Sequence, residues 1–399
     1  MRTSTLPKGF HAAGIAAGIK KDNALDLALI VSEVDCNAAA VFTTNRVKAA
    51  PVLYDQQLMS AGHKIRAVVI NSGCANACTG PQGLRDVETT AALVAESVRC
   101  APEQVFVMST GVIGVPLPMD KLRAGIPRAA AALGNTPAHL LAAAQAILTT
   151  DTTTKIAGDD LSLTTNGEGN LRTARMLGIA KGAGMIHPDL ATMLAVVLTD
   201  AVVPPEVLRR ALEVAVRRSF NRISVDGDTS TNDTVLVLAN GLSGVQPTPL
   251  EFEILLTSLC TDLAKQIVRD GEGATKFITI EIVGARDEAM AETVGRTIAR
   301  SPLVKTAFYG EDANWGRILA AAGYSSAPVD PNRLSLWLGS VQVFANGAPM
   351  PYAEDEARAV MQSREITLRL DLGLGNASAT IWTCDLSHDY VTVNGRYRT

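Results

Sequence analysis

Few residues of this sequence are aromatic, 4% in all, so it offers no stacking platform for nucleic-acid bases. Positive charge is not in excess either. The formal net charge of −4 speaks against a nucleic-acid groove and against a basic face for membrane lipids. No apolar run approaches the length of a membrane span. The six cysteines form no CxxC pair. Cys74 and Cys78 bracket ANA, an uncommon zinc spacing, and no histidine cluster accompanies them. They read as reduced thiols of a cytoplasmic protein, with no metal expected. Only His11, His63, His139, His187 and His388 are available, and no GxSxG occurs, so a Ser-His-Asp hydrolase has no support. Lys181 precedes its glycines, the reverse of GxxxxGK[ST], and no GxGxxG opens a helix. No nucleotide cofactor is expected. GFHAAGIAAGI near the start is Ala- and Gly-rich, carries His11 and lacks a dense apolar core, so it is not read as a signal peptide.

What is present is the composition of a packed protein: 47% hydrophobic and 19% charged residues. A chain of 399 residues exceeds one ordinary core and implies two or three domains, or one large α+β body. ALDLALIVSEV, NAAAVFTTN, KIRAVVINSG and QVFVMST read as strands, and Met193 to Leu198 as a fully buried one. Helices are expected near Val87 to Arg99, Met119 to Leu133 and Pro137 to Leu148, with Pro close to the start of the last two. PEVLRRALEVAVRRSF is an amphipathic helix and LEFEILLTSLCTDLAKQIVRD a long one. In KFITIEIVG, Ile278, Ile280 and Ile282 alternate with other residues as in a half-buried strand. EITLRLDLGLGNASATIW reads as a hairpin around a Gly-Asn turn. The sum is a set of mixed, mostly antiparallel sheets with helices packed on them.

Four stretches carry candidate chemistry. In KGAGMIHPDLATMLAVVLTD, glycines at 182 and 184 run into Thr192 at the mouth of the buried strand. Thr192 is either a strand-edge hydroxyl or a nucleophile. As a nucleophile it needs a base, and a threonine at the start of a chain carries its own, the freed amine with an ordinary pKa near ~8. That arrangement requires the Ala191–Thr192 bond to be cut. His187 is the alternative base, and reads as an exposed loop residue. VMSTGVIG ends a strand on Ser109, Thr110 and Gly111, which offer the amides and hydroxyl of an oxyanion hole or simply a tight turn. In RDGEGATK, Glu272 stands between two glycines, either holding a cation or sitting in a solvated loop after a helix. SVDGDTSTND is dense in carboxylates and hydroxyls without calcium-loop spacing, and reads as a polar loop near an active site.

Taken together, KGAGMIHPDLATML, STGVIGVPLPMDKL, NSGCANACTG, TTDT, SVDGDTSTND, RDGEGATK, GEDANWGR and VNGRYRT resemble the ornithine acetyltransferases, also called glutamate N-acetyltransferases. The matches run in order from GFHAAGIAAGIK to Thr399 and cover nearly the whole chain. The resemblance implies an αββα sandwich of the kind shared with self-cleaving aminopeptidases. It implies self-cleavage at Ala191–Thr192 into an α chain, 1–191, and a β chain, 192–399, interwoven in one body with a smaller C-terminal lobe. It implies acetyl transfer from N2-acetyl-L-ornithine to L-glutamate through an acyl-enzyme on Thr192, without a cofactor. Acetyl-CoA as a second donor stays open, and a self-cleaving aminopeptidase is the rival reading. By resemblance, Thr110 and Gly111 form the oxyanion hole, and Thr152, Lys181, Thr192, Glu272, Asn394 and Thr399 contact substrate. TTDT is followed by TTK and the segment to Lys181 looks long, which leaves Thr150 as the alternative to Thr152. Members of the family assemble as two α and two β chains.

Overall fold

The computed structural model describes residues 5–21, 23–164, 171–187 and 193–396. The first half contains β1 (Phe10–Ile15), β2 (Leu27–Phe42), α1 (Ala50–Ser60), β3 (Ile65–Cys74), α2 (Gly80–Val98), β4 (Val105–Val112), α3 (Met119–Ala131) and α4 (Pro137–Ala146). The two early strands expected from the sequence are one strand, β2. The polar stretch Ser32 to Asp35 looks like a turn, yet the chain stays extended while its pairing changes hands. Leu27 to Val31 and Cys36 pair with β3, and Asn37 to Phe42 pair with β9 (Thr234–Ala239). β1, in the segment first weighed as a leader, lies antiparallel on the early half of β2.

The chain continues through β5 (Lys155–Thr164), β6 (Leu171–Lys181), β7 (Leu194–Thr199), α5 (Pro205–Arg218), β8 (Ile223–Ser224), β9 (Thr234–Ala239) and α6 (Pro249–Arg269). The first sheet has the order β4-β3-β2-β9-β7-β6-β5, with β1 on β2. Because β2 bridges two halves, the sheet folds over on itself. Period-2 alternation sorts the side chains into layers. Ala28, Ile30, Val68, Ile70, Phe106 and Met108 face Leu194, Val196, Leu198, Leu236 and Leu238 across a shared core. Leu27, Leu29, Val69 and Val107 point the other way, to Val87, Val94, Leu122 and Ile126 of α2 and α3. Ala195, Val197, Val235 and Val237 meet α5 and α6. The layers are helix, sheet, sheet, helix: an αββα sandwich.

A second sheet follows, built from β10 (Phe277–Ala285), α7 (Glu288–Ala299), α8 (Pro302–Tyr309), α9 (Trp315–Gly323), β11 (Ser335–Leu338), β12 (Val341–Ala345), β13 (Ala348–Pro349), α10 (Glu354–Gln362), β14 (Glu365–Asp371) and β15 (Ala377–Cys384); α11 (His388–Arg396) ends the described chain. Its order is β13-β12-β11-β14-β10-β15-β8, around its own apolar core. The expected hairpin of β14 and β15 does not form. β10 lies between them, parallel to β14 and antiparallel to β15. The Leu372 and Leu374 amides donate to Val283 and Gly284, so the connection passes the end of β10 instead of turning tightly. Alternation marks a strand but does not name its neighbour. Most pairs are antiparallel; β3–β4, β7–β9, β8–β15 and β10–β14 are parallel. Among the described residues no helix is long and apolar enough to cross a membrane.

Candidate active site

A cavity of about 230 Å³ lies where β3 and β4 end, where β6 ends and where β9 begins. Thr110 and Gly111 form one wall. Gly111 has φ +130°, and a Cβ there would stand 2.4 Å from the Gly73 carbonyl carbon. Only glycine allows that backbone and that approach of β4 to β3. Polar side chains lock this corner. Asn232 donates to the carbonyls of Ala75 at 2.7 Å and Ser109 at 2.8 Å. The Ser109 hydroxyl donates to Asn71 at 2.6 Å, and Asn71 donates to the Cys74 carbonyl at 2.8 Å. Ser109, Thr110 and Gly111 close the strand as expected, which runs one residue further, to Val112.

Lys181, the last residue of β6, forms the floor and is 2% exposed. Behind it lies Asp151, whose Oδ2 is 3.9 Å from the Lys181 ammonium. Asp151 Oδ1 accepts from Lys155 at 2.7 Å and from the Gly182 amide at 2.6 Å. Lys155 also donates to Asp270 at 2.5 Å. Burial pushes the Lys181 ammonium down, and Asp151 works against that. Burial pushes the Asp151 carboxyl up, but Lys181 and Lys155 outweigh it and hold it far below the usual carboxylate range.

The opposite wall comes from three separate loops. Asp226, in the acidic loop after β8, accepts from the amides of Met185 at 2.5 Å and Ile186 at 2.9 Å. It thereby holds Met185 at φ +57°, a conformation rare outside glycine. Glu272 follows α6; its amide donates to Ala183 at 2.9 Å and its carboxylate accepts from Asn394 of α11 at 2.7 Å. Gly184 makes room for that carboxylate, since a Cβ there would meet it at 2.4 Å. Tyr390 of α11 donates to Asp226 at 3.3 Å and closes the wall.

Thr110, Gly111, Lys181, Glu272 and Asn394, from four distant parts of the chain, therefore line one cavity. Thr150 lines it too. Thr152 lies in the neighbouring cavity, with its hydroxyl and amide both donating to Asp270. The length of the following segment is the β5–β6 pair. Ala191, Thr192 and Thr399 lie outside the described residues. Met193, one residue on, donates its amide to Asp233 Oδ1 at 2.9 Å, at the start of β9. Asp233 is fully buried and its Oδ2 accepts no hydrogen bond. Burial pushes its carboxyl well above the ordinary range. His187 is half-buried against the Ser224 hydroxyl at 3.1 Å, and not the exposed residue expected. Sequence reading missed Asp151, Asn232 and Tyr390 as parts of the site. The density of SVDGDTSTND was the signal for Asn232, and the TTDT string held Asp151; Tyr390 gave none.

The ArgJ family model matches residues 11–399. "Arginine biosynthesis bifunctional protein ArgJ" of Symbiobacterium thermophilum is 50% identical over 403 residues, covering 99% of this chain and 98% of its own. "Arginine biosynthesis bifunctional protein ArgJ, mitochondrial" of Neurospora crassa is 46% identical over 424 residues, covering 100% of this chain and 90% of its own. Among solved structures, the ornithine acetyltransferase of Mycobacterium tuberculosis complexed with ornithine is 40% identical with a TM-score of 0.41, covering 48% of this chain and 98% of that one. With a family match across almost its full length and relatives half-identical to it, the chain belongs to the ArgJ family.

Proposed function

We propose that this protein cuts its own Ala191–Thr192 bond and then moves an acetyl group from N2-acetyl-L-ornithine to L-glutamate on Thr192. The observation that carries this reading is the convergence of Thr110, Gly111, Lys181 and Glu272 on one small cavity, at the mouth of the strand that residue 192 leads into. The Thr192 hydroxyl attacks the acetyl carbonyl while the freed amine of the same residue takes its proton. Thr110 and Gly111 donate to the oxygen on which charge develops. The amide bond breaks, ornithine leaves with the proton, and the acetyl group stays as an ester on Thr192. The amine of glutamate then attacks that ester, and the hydroxyl is restored. An exchange of one amide for another needs no separate energy source.

Lys181 takes the α-carboxylate common to both substrates, and Glu272 takes the side-chain ammonium of ornithine. Thr150, which lines the cavity, stands in the place first given to Thr152. Asn394 orients Glu272, and Thr399 completes the substrate contacts. The cut chains assemble as α2β2, a mass that native mass spectrometry reads, and the reaction belongs to the cytoplasm. The test is an assay with N-acetylornithine and glutamate. Ornithine and N-acetylglutamate appearing in equal amounts support the reading. Release of acetate instead identifies a self-cleaving amidohydrolase, and no turnover by cut protein overturns it. Replacing N-acetylornithine by acetyl-CoA in the same assay decides whether there is a second donor.

A further inference from the structure

We propose that Asp151 is a positioning residue for the transfer: it anchors the Lys181 ammonium and the Gly182 amide so that Lys181 meets a substrate carboxylate. The inference rests on the function proposed above. Asp151 is a wholly buried side chain that lies behind the cavity wall and does not line it. Its two oxygens collect four contacts. Oδ1 accepts from Lys155 and Gly182, and Oδ2 accepts from the Thr149 amide at 3.0 Å and faces Lys181 at 3.9 Å. The residue thus ties the segment before β5, which supplies Thr149 and Thr150 to the cavity, to the end of β6, which supplies Lys181.

The two buried lysines are used differently. Lys155 spends its ammonium on Asp151, Asp270 and the Thr153 carbonyl. It is a structural cation. Lys181 lines the cavity, and Asp151 is the carboxylate within 4 Å of it among the described residues. At 3.9 Å that is charge contact without a hydrogen bond, so the donors of Lys181 remain for a ligand. Among the described residues, five charged or titratable groups surround Lys181: Asp151 before β5, Lys155 in β5, Asp233 at the start of β9, Glu272 after α6, and Lys20 between β1 and β2. Lys155 and Lys20 oppose its charge. Burial works against the charge of Asp233, and Glu272 is bonded to Asn394. Asp151 is therefore the main group that keeps a buried amine in its charged form.

Asp151→Asn keeps the shape and leaves an oxygen for Lys155 or Gly182, but removes the charge. Lys181 then loses its proton at a lower pH, and a neutral amine cannot pair with a carboxylate. The expected result is a rise in KM for both glutamate and N-acetylornithine of about tenfold or more near pH 8, narrowing to about threefold or less near pH 6, with kcat much less affected. Lys181→Met in the same background abolishes that pH dependence. A defect of equal size at both pH values makes Asp151 a structural residue only and overturns the proposal, as does a variant with the parent's KM. Should Asp151→Asn fail to fold, Asp151→Glu keeps the charge and is the second variant. Its KM defect relative to the parent is the same within about twofold at pH 6 and pH 8, and a defect that widens with pH overturns the proposal. A parent that makes no N-acetylglutamate refutes the function instead, a separate outcome.

Discussion

Replacing Gly184 by alanine tests the role of Glu272 without touching Glu272. A Cβ at Gly184 would lie 2.4 Å from the Glu272 carboxyl carbon and Oε2, and 2.6 Å from Oε1. Ordinary contact needs roughly 1 Å more, and packed neighbours leave no overlap unrelieved. The carboxylate is the far end of a flexible side chain, so it swings aside at little cost to the fold. Gly184 does not have positive φ, so its backbone accepts alanine. In swinging, the carboxylate leaves the position where Asn394 holds it. By the proposed assignment, it can then no longer meet the ammonium of ornithine. A hydrogen bond to a charged group contributes about 1.5–3 kcal/mol, and about 1.4 kcal/mol is tenfold in rate. The kcat/KM for N-acetylornithine should fall about 10- to 150-fold. Glutamate has no side-chain ammonium, so its kcat/KM should change by less than about threefold. The melting temperature should stay within about 2 °C, as for substitutions that leave the core intact. Steady-state kinetics with each substrate varied in turn measures both constants, with Glu272→Gln as the charge-only control. An unchanged donor constant, or equal losses for donor and acceptor, would refute the assignment.

Gly111→Ala should act on fold and chemistry together. The left-handed φ alone costs about 1–3 kcal/mol, and the new Cβ meets backbone instead of a movable side chain. Transfer should fall by about 10²–10³, with a clear drop in melting temperature; a variant that melts and turns over like the parent contradicts the site. Asp55→Asn should stabilise the protein above the ordinary carboxylate range. Asp55 is buried and its carboxyl is pushed well up by burial, against one amide bond from Val107 at 3.1 Å. The folded state therefore keeps a proton that the unfolded state, with a pKa near ~3.9, has lost, so stability falls as pH rises above that value. Asparagine keeps the acceptor and removes the titration. Its advantage in melting temperature should grow from about pH 5 to pH 8, and a constant or reversed difference would show that Asp55 does not titrate this way.

The layers were legible because burial alternates with period 2 in the strands, and β7 could be read directly from its apolar run. Partners were not legible. Nothing in EITLRLDLGLGNASATIW says that β10, from about ninety residues earlier, enters between its two halves. The same holds for the site. Glycines and the acidic loop advertise close approach and polarity in a few residues. Asp151 reads as any acidic residue until β6 brings Lys181 and α6 brings Asp270 against its neighbourhood. Thr150 and Thr152 are equivalent in sequence; Asp270, 118 residues away, draws Thr152 aside. Which hydroxyl faces a cavity is set by tertiary contacts that local spacing does not encode.

The central claim is a self-made nucleophile that carries the acetyl group. Denaturing mass spectrometry after a brief incubation with N-acetylornithine, without glutamate, tests it most directly. The account predicts two fragments, 1–191 and 192–399, with the second heavier by one acetyl group that disappears when glutamate is added. Thr192→Ala should stay whole and take up no acetyl group. An intact, unacetylated 41.9 kDa chain that nevertheless turns over N-acetylornithine and glutamate would contradict it.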